Sequence, residues 1–214
     1  MEKRMTGWSP ENATKAYLRA VKMVKRAMAP DAAEFISALV AGSNARLIVI
    51  SCADAADSTV LALVVAAHQT GGKVVCIVSS ANELKQSKET LGESAEDIEY
   101  VVGNAENLLS SEYREADCVV VDCRIKNCEG ILKAAKGIGK NVMVLGYNAL
   151  WMGSWRCGGF DAHLLPIGEG LVVSRAAEKT KNDEHRCGSG KRSRWVVKVD
   201  KVTGEEHVFR VRSS

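Results

Sequence analysis

Few residues of this 214-residue chain stand at spacings that do chemistry. The four histidines, His68, His163, His185 and His207, are scattered. None has a metal-ligand or triad spacing, so surface or satisfied-core roles are expected of them. The seven cysteines are an odd count, and Cys118, Cys123 and Cys128 step by five residues, which is not a zinc spacing. With Cys52 and Cys76 they fall in or beside apolar runs and are expected as packing thiols without a disulfide framework. Asp122 closes an apolar run and is either a ligand or a cap for the loop that follows. No general base stands out. One basic segment, Lys191-Arg192-Ser193-Arg194-Trp195, interleaves cations with an aromatic. With Arg210 and Arg212 it is either a contact for a nucleic-acid backbone or a solubilising edge hairpin.

The elements that must position these residues are legible in the hydrophobic pattern. Ser9 is a good N-cap, and Pro10 sits where its missing N–H costs nothing. Ala13, Ala16, Tyr17, Ala20, Val21, Val24 and Met28 then recur at three- and four-residue steps and predict a helix stopped by Pro30. Asp31 caps a second helix carrying Phe35, Ile36, Leu39 and Val40. Apolar runs at 47–51, 73–78 and 118–122 predict buried parallel strands, and 99–102 and 141–146 complete five. Helices are predicted over 57–69, ended by Gly71-Gly72, from a Ser80/Glu83 capping box to about Leu91, and over 127–138, closed by Gly139. Strand–helix alternation implies a mostly parallel sheet with helices on both faces. Late strands are expected at 163–167 and 171–176. Residues 178–192 read as a flexible loop, and 194–199 and 207–211 as a hairpin about Thr203-Gly204.

Composition bounds the class. Forty-six per cent of residues are hydrophobic, enough for a substantial core. No apolar run approaches the ~18–20 residues that span a bilayer. The start, Met1-Glu2-Lys3-Arg4-Met5, lacks the apolar stretch of a secretory signal. A cytoplasmic or nuclear protein without a membrane partner is expected. The net charge of +3 is unevenly spread. Residues 1–30 carry seven Lys/Arg against two Asp/Glu, residues 175–214 eleven against six, and the middle eleven against eighteen. The pattern leaves open an anionic partner or solvated faces.

Several motifs together resemble class I methyltransferases, and locally the caffeoyl-CoA and catechol O-methyltransferase group. Gly146-Tyr147-Asn148-Ala149-Leu150-Trp151-Met152-Gly153-Ser154 resembles that group's G-Y-D-N-x-L-W-x-G-S. Leu165-Pro166-Ile167-Gly168-Glu169-Gly170-Leu171 resembles its L-P-x-G-D-G-[IL]. Gly103-Asn104-Ala105 resembles the turn after its third strand, and Val121-Asp122 the end of its fourth. The opening Trp8-Ser9-Pro10-Glu11-Asn12-Ala13-Thr14-Lys15-Ala16-Tyr17 resembles a plant family of unknown function described as methyltransferase-like, over nearly the whole chain. The resemblance implies a Rossmann-like domain over residues 1–177, with 178–214 as a basic loop and hairpin extension. It also implies S-adenosylmethionine (SAM) at the strand ends.

The departures are concentrated at that cofactor site. Where the group has E-x-G-x-x-x-G-[YF]-S, this chain has Ile50-Ser51-Cys52-Ala53-Asp54-Ala55-Ala56-Asp57-Ser58. The acid is Ile50 and the glycines are Cys52 and Ala56, so β-carbons are expected to narrow the loop. Asp54 and Asp57 disfavour a phosphate-bearing dinucleotide but not a sulfonium. The ribose-gripping acid after strand two is replaced by Val78-Ser79-Ser80, and hydroxyls bind a ribose more weakly. Asn104 and Ala105 could still contact an adenine. The group's metal set is reduced to Asp122 and Asn148, a weak remnant, so no metal is expected. The expected cofactor contacts are Ser51, Ala53, Ser58, Ser79, Asn104, Ala105 and Asp122. Trp151 and Trp155, in the loop over the strand ends, either line a pocket or pack the loop.

Three functions follow as expectations. The first is a non-catalytic module that binds a small molecule or a protein in the old cofactor cleft. The second is an active SAM-dependent small-molecule O-methyltransferase with altered contacts. The third is nucleic-acid association through the basic termini. A homodimer is compatible with each.

Overall fold

The computed structural model describes residues 7–23, 32–139, 141–151, 162–175, 193–199 and 206–212. Val24, Met28, Pro30, Asp31, Trp155, His185, the 178–192 loop and Thr203-Gly204 lie outside them. The chain divides into two compact units, Met1–Ala177 and Glu178–Ser214.

In the first unit seven strands form one sheet. They are β1 (Leu47–Ser51), β2 (Lys73–Val78), β3 (Ile98–Val102), β4 (Cys118–Asp122), β5 (Met143–Tyr147), β6 (His163–Leu165) and β7 (Leu171–Arg175). Their order is β3-β2-β1-β4-β5-β7-β6. The first five run parallel, with Val49 in register with Val75 on one side and Val119 on the other. β7 returns antiparallel to β5, and β6 is antiparallel to β7. This is the mostly parallel Rossmann-like methyltransferase fold with late antiparallel strands.

Central strands are apolar at nearly every position because both sheet faces are covered. Ile48, Ile50, Cys76, Val120 and Leu145 face one core. Ile36 and Val40 of α2 (Ala32–Gly42) and Val60 and Leu63 of α3 (Ser58–Thr70) complete it. The alternate residues Val49, Val75, Val119, Val121 and Val144 face the other. There they meet Leu109 of α5 (Ala105–Ser111) and Ile131 and Leu132 of α6 (Cys128–Gly137). Helix α1 (Pro10–Met23) buries Ala13, Ala16 and Ala20, the small residues of its predicted stripe, while Val21 stays 36% exposed.

The caps follow the sequence. Asp57 accepts from the Thr59 N–H, and Gly71 closes α3 in the left-handed conformation at φ 67°. Ser80 caps α4 (Ala81–Leu91) by accepting from the Glu83 N–H, and the Glu83 carboxylate accepts in return from the Ser79 N–H. The capping box thus closes one residue earlier than the usual pattern. Helix α5 has no counterpart in the sequence reading. Seven residues are too few for a repeating apolar stripe, and its start is marked only by Asn104, whose Oδ1 accepts from the Asn107 N–H. The predicted strand at 163–167 ends at Leu165, because Pro166 has no N–H to continue the ladder.

In the second unit β8 (Ser193–Val199) and β9 (Glu206–Arg212) pair antiparallel as a hairpin, with Trp195 opposite Arg210 and Ser193 opposite Arg212. No helix among the described residues is long and apolar enough to cross a membrane.

Candidate functional site

The strand order reverses between β1 and β4. The chain leaves β1 toward β2 and β3 on one side, and leaves β4 toward β5 on the other. The loops after β1 and β4 therefore part at the C-terminal ends of the strands and open a crevice, the place where sheets of this kind bind ligands. A cleft of about 360 Å³ lies there. Its floor is Ser51 at the end of β1, Ile77 and Val78 in β2, and Ser79 just beyond. Gly103, Asn104 and Ala105 form one wall, and Ile125, Asn127 and Ile131 the other. The Gly103 N–H donates to the Val78 carbonyl, and the Cys52 N–H to the Ile77 carbonyl, so the strand ends are tied together.

The lining is hydroxyls, amides and aliphatic carbon, with no charged side chain. Ser51 is only 4% exposed, and no described residue partners its hydroxyl. Its hydroxyl reaches the cleft and is free to bond a ligand there. Asn127 donates to Glu106, and Asn104 spends its Oδ1 on the α5 cap. Their remaining amide atoms and the Ser79 hydroxyl make no hydrogen bond among the described residues. The arrangement suits an uncharged, hydrogen-bonding body with a flat apolar face.

Of the residues expected to contact a cofactor, the cleft gathers Ser51, Ser79, Asn104 and Ala105. Ala53 and Ser58 lie in the adjoining loop and at the first position of α3, outside the lining. Asp122 lies below, 1% exposed. The β-carbons of Cys52 and Ala56, expected to narrow the loop, do not line the cleft. Both side chains turn into the α2–α3 core, at 3% and 1% exposure. The Cys52 sulfur sits 3.7 Å from that of Cys76. That hydrogen bond, then burial, push the Cys52 thiol well above its ordinary range, so it is a packing group and not a thiolate nucleophile.

Arg124 adjoins the cleft, one residue before the lining Ile125 and outside the lining itself. Its Nε donates to both Asp122 oxygens at 3.2 and 3.1 Å, and its Nη2 to Oδ2 at 2.7 Å. Its backbone N–H donates to Oδ1 at 3.0 Å. Asn148, at φ 56°, turns its amide back to donate to the same oxygen at 3.0 Å. The outer Nη1 stands 3.6 Å from Asp54 in the β1 loop. Burial by itself would raise the Asp122 carboxyl. The bonds from Arg124 and Asn148 outweigh it and hold Asp122 below the ordinary carboxylate range. Asp122 is thus bound to an internal cation and to Asn148. The two residues do not fit a divalent metal, which needs several free oxygen ligands. No three potential metal ligands cluster among the described residues. Arg124 has no assigned role in the sequence analysis above. The signal was present in the Asp122-x-Arg124 spacing after a buried strand.

The other candidates stand apart. His68 lies on the surface 3.5 Å from Asp97, and His163 is exposed on an edge strand. Trp151 is 69% exposed and stands outside the cleft lining. Tyr147 is buried, and burial pushes its hydroxyl far above the ordinary range.

Asp57 gives a sharp stability test. Burial raises its carboxyl, against the hydrogen bonds from Thr59 that lower it. A raised folded pKa means that Asp57's contribution is present below the unfolded value and is lost as pH rises through the folded one. Asp57→Asn keeps the cap and removes the buried charge, so it should melt at or above the wild type at pH 7. Asp57→Ala should cost about 1 kcal/mol, roughly 2–4 °C in Tm. The advantage of Asp57→Asn should shrink as pH falls through the carboxylate range in thermal melts. An advantage that grows would contradict the buried charge.

Solved structures share this fold. A Staphylococcus aureus protein provisionally described as a caffeoyl-CoA O-methyltransferase superposes with TM-score 0.55 at 15% identity, over 74% of this chain and 90% of that one. The Podospora anserina methyltransferase PaMTH1, bound to S-adenosylhomocysteine (SAH), gives 0.51 at 13% identity, over 79% and 89%. The O-methyltransferase TomG of Streptomyces achromogenes, in complex with SAM, gives 0.50 at 16%, over 81% and 92%. At these identities the likeness is one of fold. No curated protein matches the chain in sequence. A family model does match, over residues 4–211. The chain therefore belongs to the family described as Protein of unknown function (DUF1442).

Proposed function

We propose that this protein is a ligand-binding module on a methyltransferase fold, without methyl-transfer activity of its own. The observation that carries the reading is Arg124. Its guanidinium is fixed by Asp122, and its outer edge stands 3.6 Å from Asp54 of the β1 loop. Asp122, one of the two residues left from the resembled metal set, is spent on holding it, and Asn148, the other, donates to Asp122. The cleft beside it offers hydroxyls, amides and aliphatic walls but no general base. It keeps room for a small molecule, and the open Ser51 hydroxyl supports binding.

Two measurements test this. Radiolabelled SAM is incubated with folded protein and a metabolite extract, with and without Mg2+. No label should transfer above background in either condition. Isothermal titration with SAM and SAH should show no micromolar binding. Transfer, or micromolar binding of either, would overturn the proposal in favour of a SAM-dependent small-molecule methyltransferase using Ser51, Ser58, Ser79 and Asn104. That second reading is kept because Ser51, Ser79 and Asn104 converge on one cleft.

A further inference from the structure

Arg124 does more than neutralise a buried acid. A guanidinium has five N–H donors in a fixed fork. Asp122 takes the Nε–H and one Nη2–H. Nη1 and the second Nη2–H are left on the outer edge, where no described residue accepts a hydrogen bond from them. The side chain is 39% exposed, so this edge is open to solvent. Asp122, 1% exposed, fixes the fork in place, and a prearranged fork loses little freedom when it binds a second carboxylate. At that edge Arg124 pairs with Asp54, whose oxygen stands 3.6 Å from Nη1 and whose side chain is 76% exposed. That distance is beyond a hydrogen bond, and the pair is solvated.

The position matters as much as the group. Ser51 lies three residues before Asp54, and Ile125 directly follows Arg124; both line the cleft. The Ser51 hydroxyl, which no described residue engages, independently offers a polar contact in the cleft.

We propose that Arg124 is an acid-recognition point beside this cleft: its outer edge receives a ligand carboxylate, and Asp54 is the internal carboxylate that occupies the edge until the ligand displaces it. The inference rests on the ligand-binding reading and adds the ligand's class, a small acid with an uncharged hydrogen-bonding body. Asp57 and Asp122, the other acids that act on this guanidinium, are engaged by Thr59 and by Arg124 itself.

The test uses acetate as the probe, at constant ionic strength with chloride as the control, read by two-dimensional NMR of the full chain. In the wild type acetate should shift the Arg124 Nε–H and the backbone amides of Asp54 and Ile125 with millimolar affinity. Asp54→Asn removes the internal competitor and should tighten acetate by about two- to sixfold, the occupancy expected of an exposed pair. Arg124→Lys keeps a cation beside Asp122, and so keeps the fold, but loses the fork. It should weaken acetate about tenfold or more. Equal affinity in the three proteins, or shifts confined to surface lysines, would overturn the assignment. A positive methyl-transfer assay would overturn the module reading while leaving an acetate response at Arg124 intact, so the two failures are separable.

Discussion

Arg124→Ala is expected to be among the most damaging single changes outside the hydrophobic core. Asp122 is 1% exposed and takes three side-chain hydrogen bonds from this one guanidinium. Removing the cation leaves a carboxylate with only Asn148 and a backbone N–H, in a place that water hardly reaches. Breaking a fully buried pair from one side costs about 3–5 kcal/mol. Arg124 is 39% exposed, which lowers the expectation to about 2–3 kcal/mol. In a domain of this size that is a fall of roughly 4–12 °C in Tm. The pH dependence should change sign. In the wild type Asp122 is held low, so its contribution is present at neutral pH and is lost as pH falls through its depressed folded value. In the variant burial dominates and raises the same carboxyl, so acidification restores stability as the group protonates. Melts of both proteins from pH 7 to pH 4 should converge. Arg124→Ala/Asp122→Asn should recover part of the loss. Parallel curves at every pH would show that Asp122 does not carry the effect.

The second large effect lies at the opposite end of the sheet. A β-carbon on Gly72 would stand 2.5 Å from the carbonyl oxygen of Arg46 and 2.8 Å from its α-carbon. That oxygen accepts from the Lys73 N–H at 2.7 Å, the bond that sets β2 beside β1. The obstacle is backbone, which cannot rotate away, so Gly72→Ala must displace the start of β2. About 3 kcal/mol is expected, the upper range for forced overpacking. The neighbouring Gly71 should behave differently. It needs its positive φ of 67° but has no atom within 4 Å of a built β-carbon. Gly71→Asn, a residue that tolerates this conformation, should cost under about 1 kcal/mol. Urea denaturation of the two variants would separate them. Equal losses would mean that the strand start can shift to accept Ala.

These two sites show how unevenly the chain discloses itself. The parallel strands were legible because both faces of a covered sheet demand apolar side chains, as in Leu47–Ser51 and Cys118–Asp122. The caps at Asp57, Ser80 and Gly71 were legible because capping is local chemistry. Helix α5 was not, because seven residues carry no periodicity. Gly71 and Gly72 read alike as a helix stop, yet only the packing of β2 against Arg46 distinguishes a conformational glycine from a steric one.

At the site the division is sharper. Local order in the chain located the strand-end residues Ser51, Ser79, Asn104, Ala105 and Asp122, since each follows directly from where a strand stops. It misjudged Cys52 and Ala56. A residue's place in a loop says nothing of which way its β-carbon turns, and here both turn into the core. It also passed over Arg124. The role of that side chain depends on Asp54 being brought to it from seventy residues earlier and Asn148 from twenty-four later. Such a contact exists only because the sheet reverses its order between β1 and β4, which brings the loops after β1, β4 and β5 to one crevice.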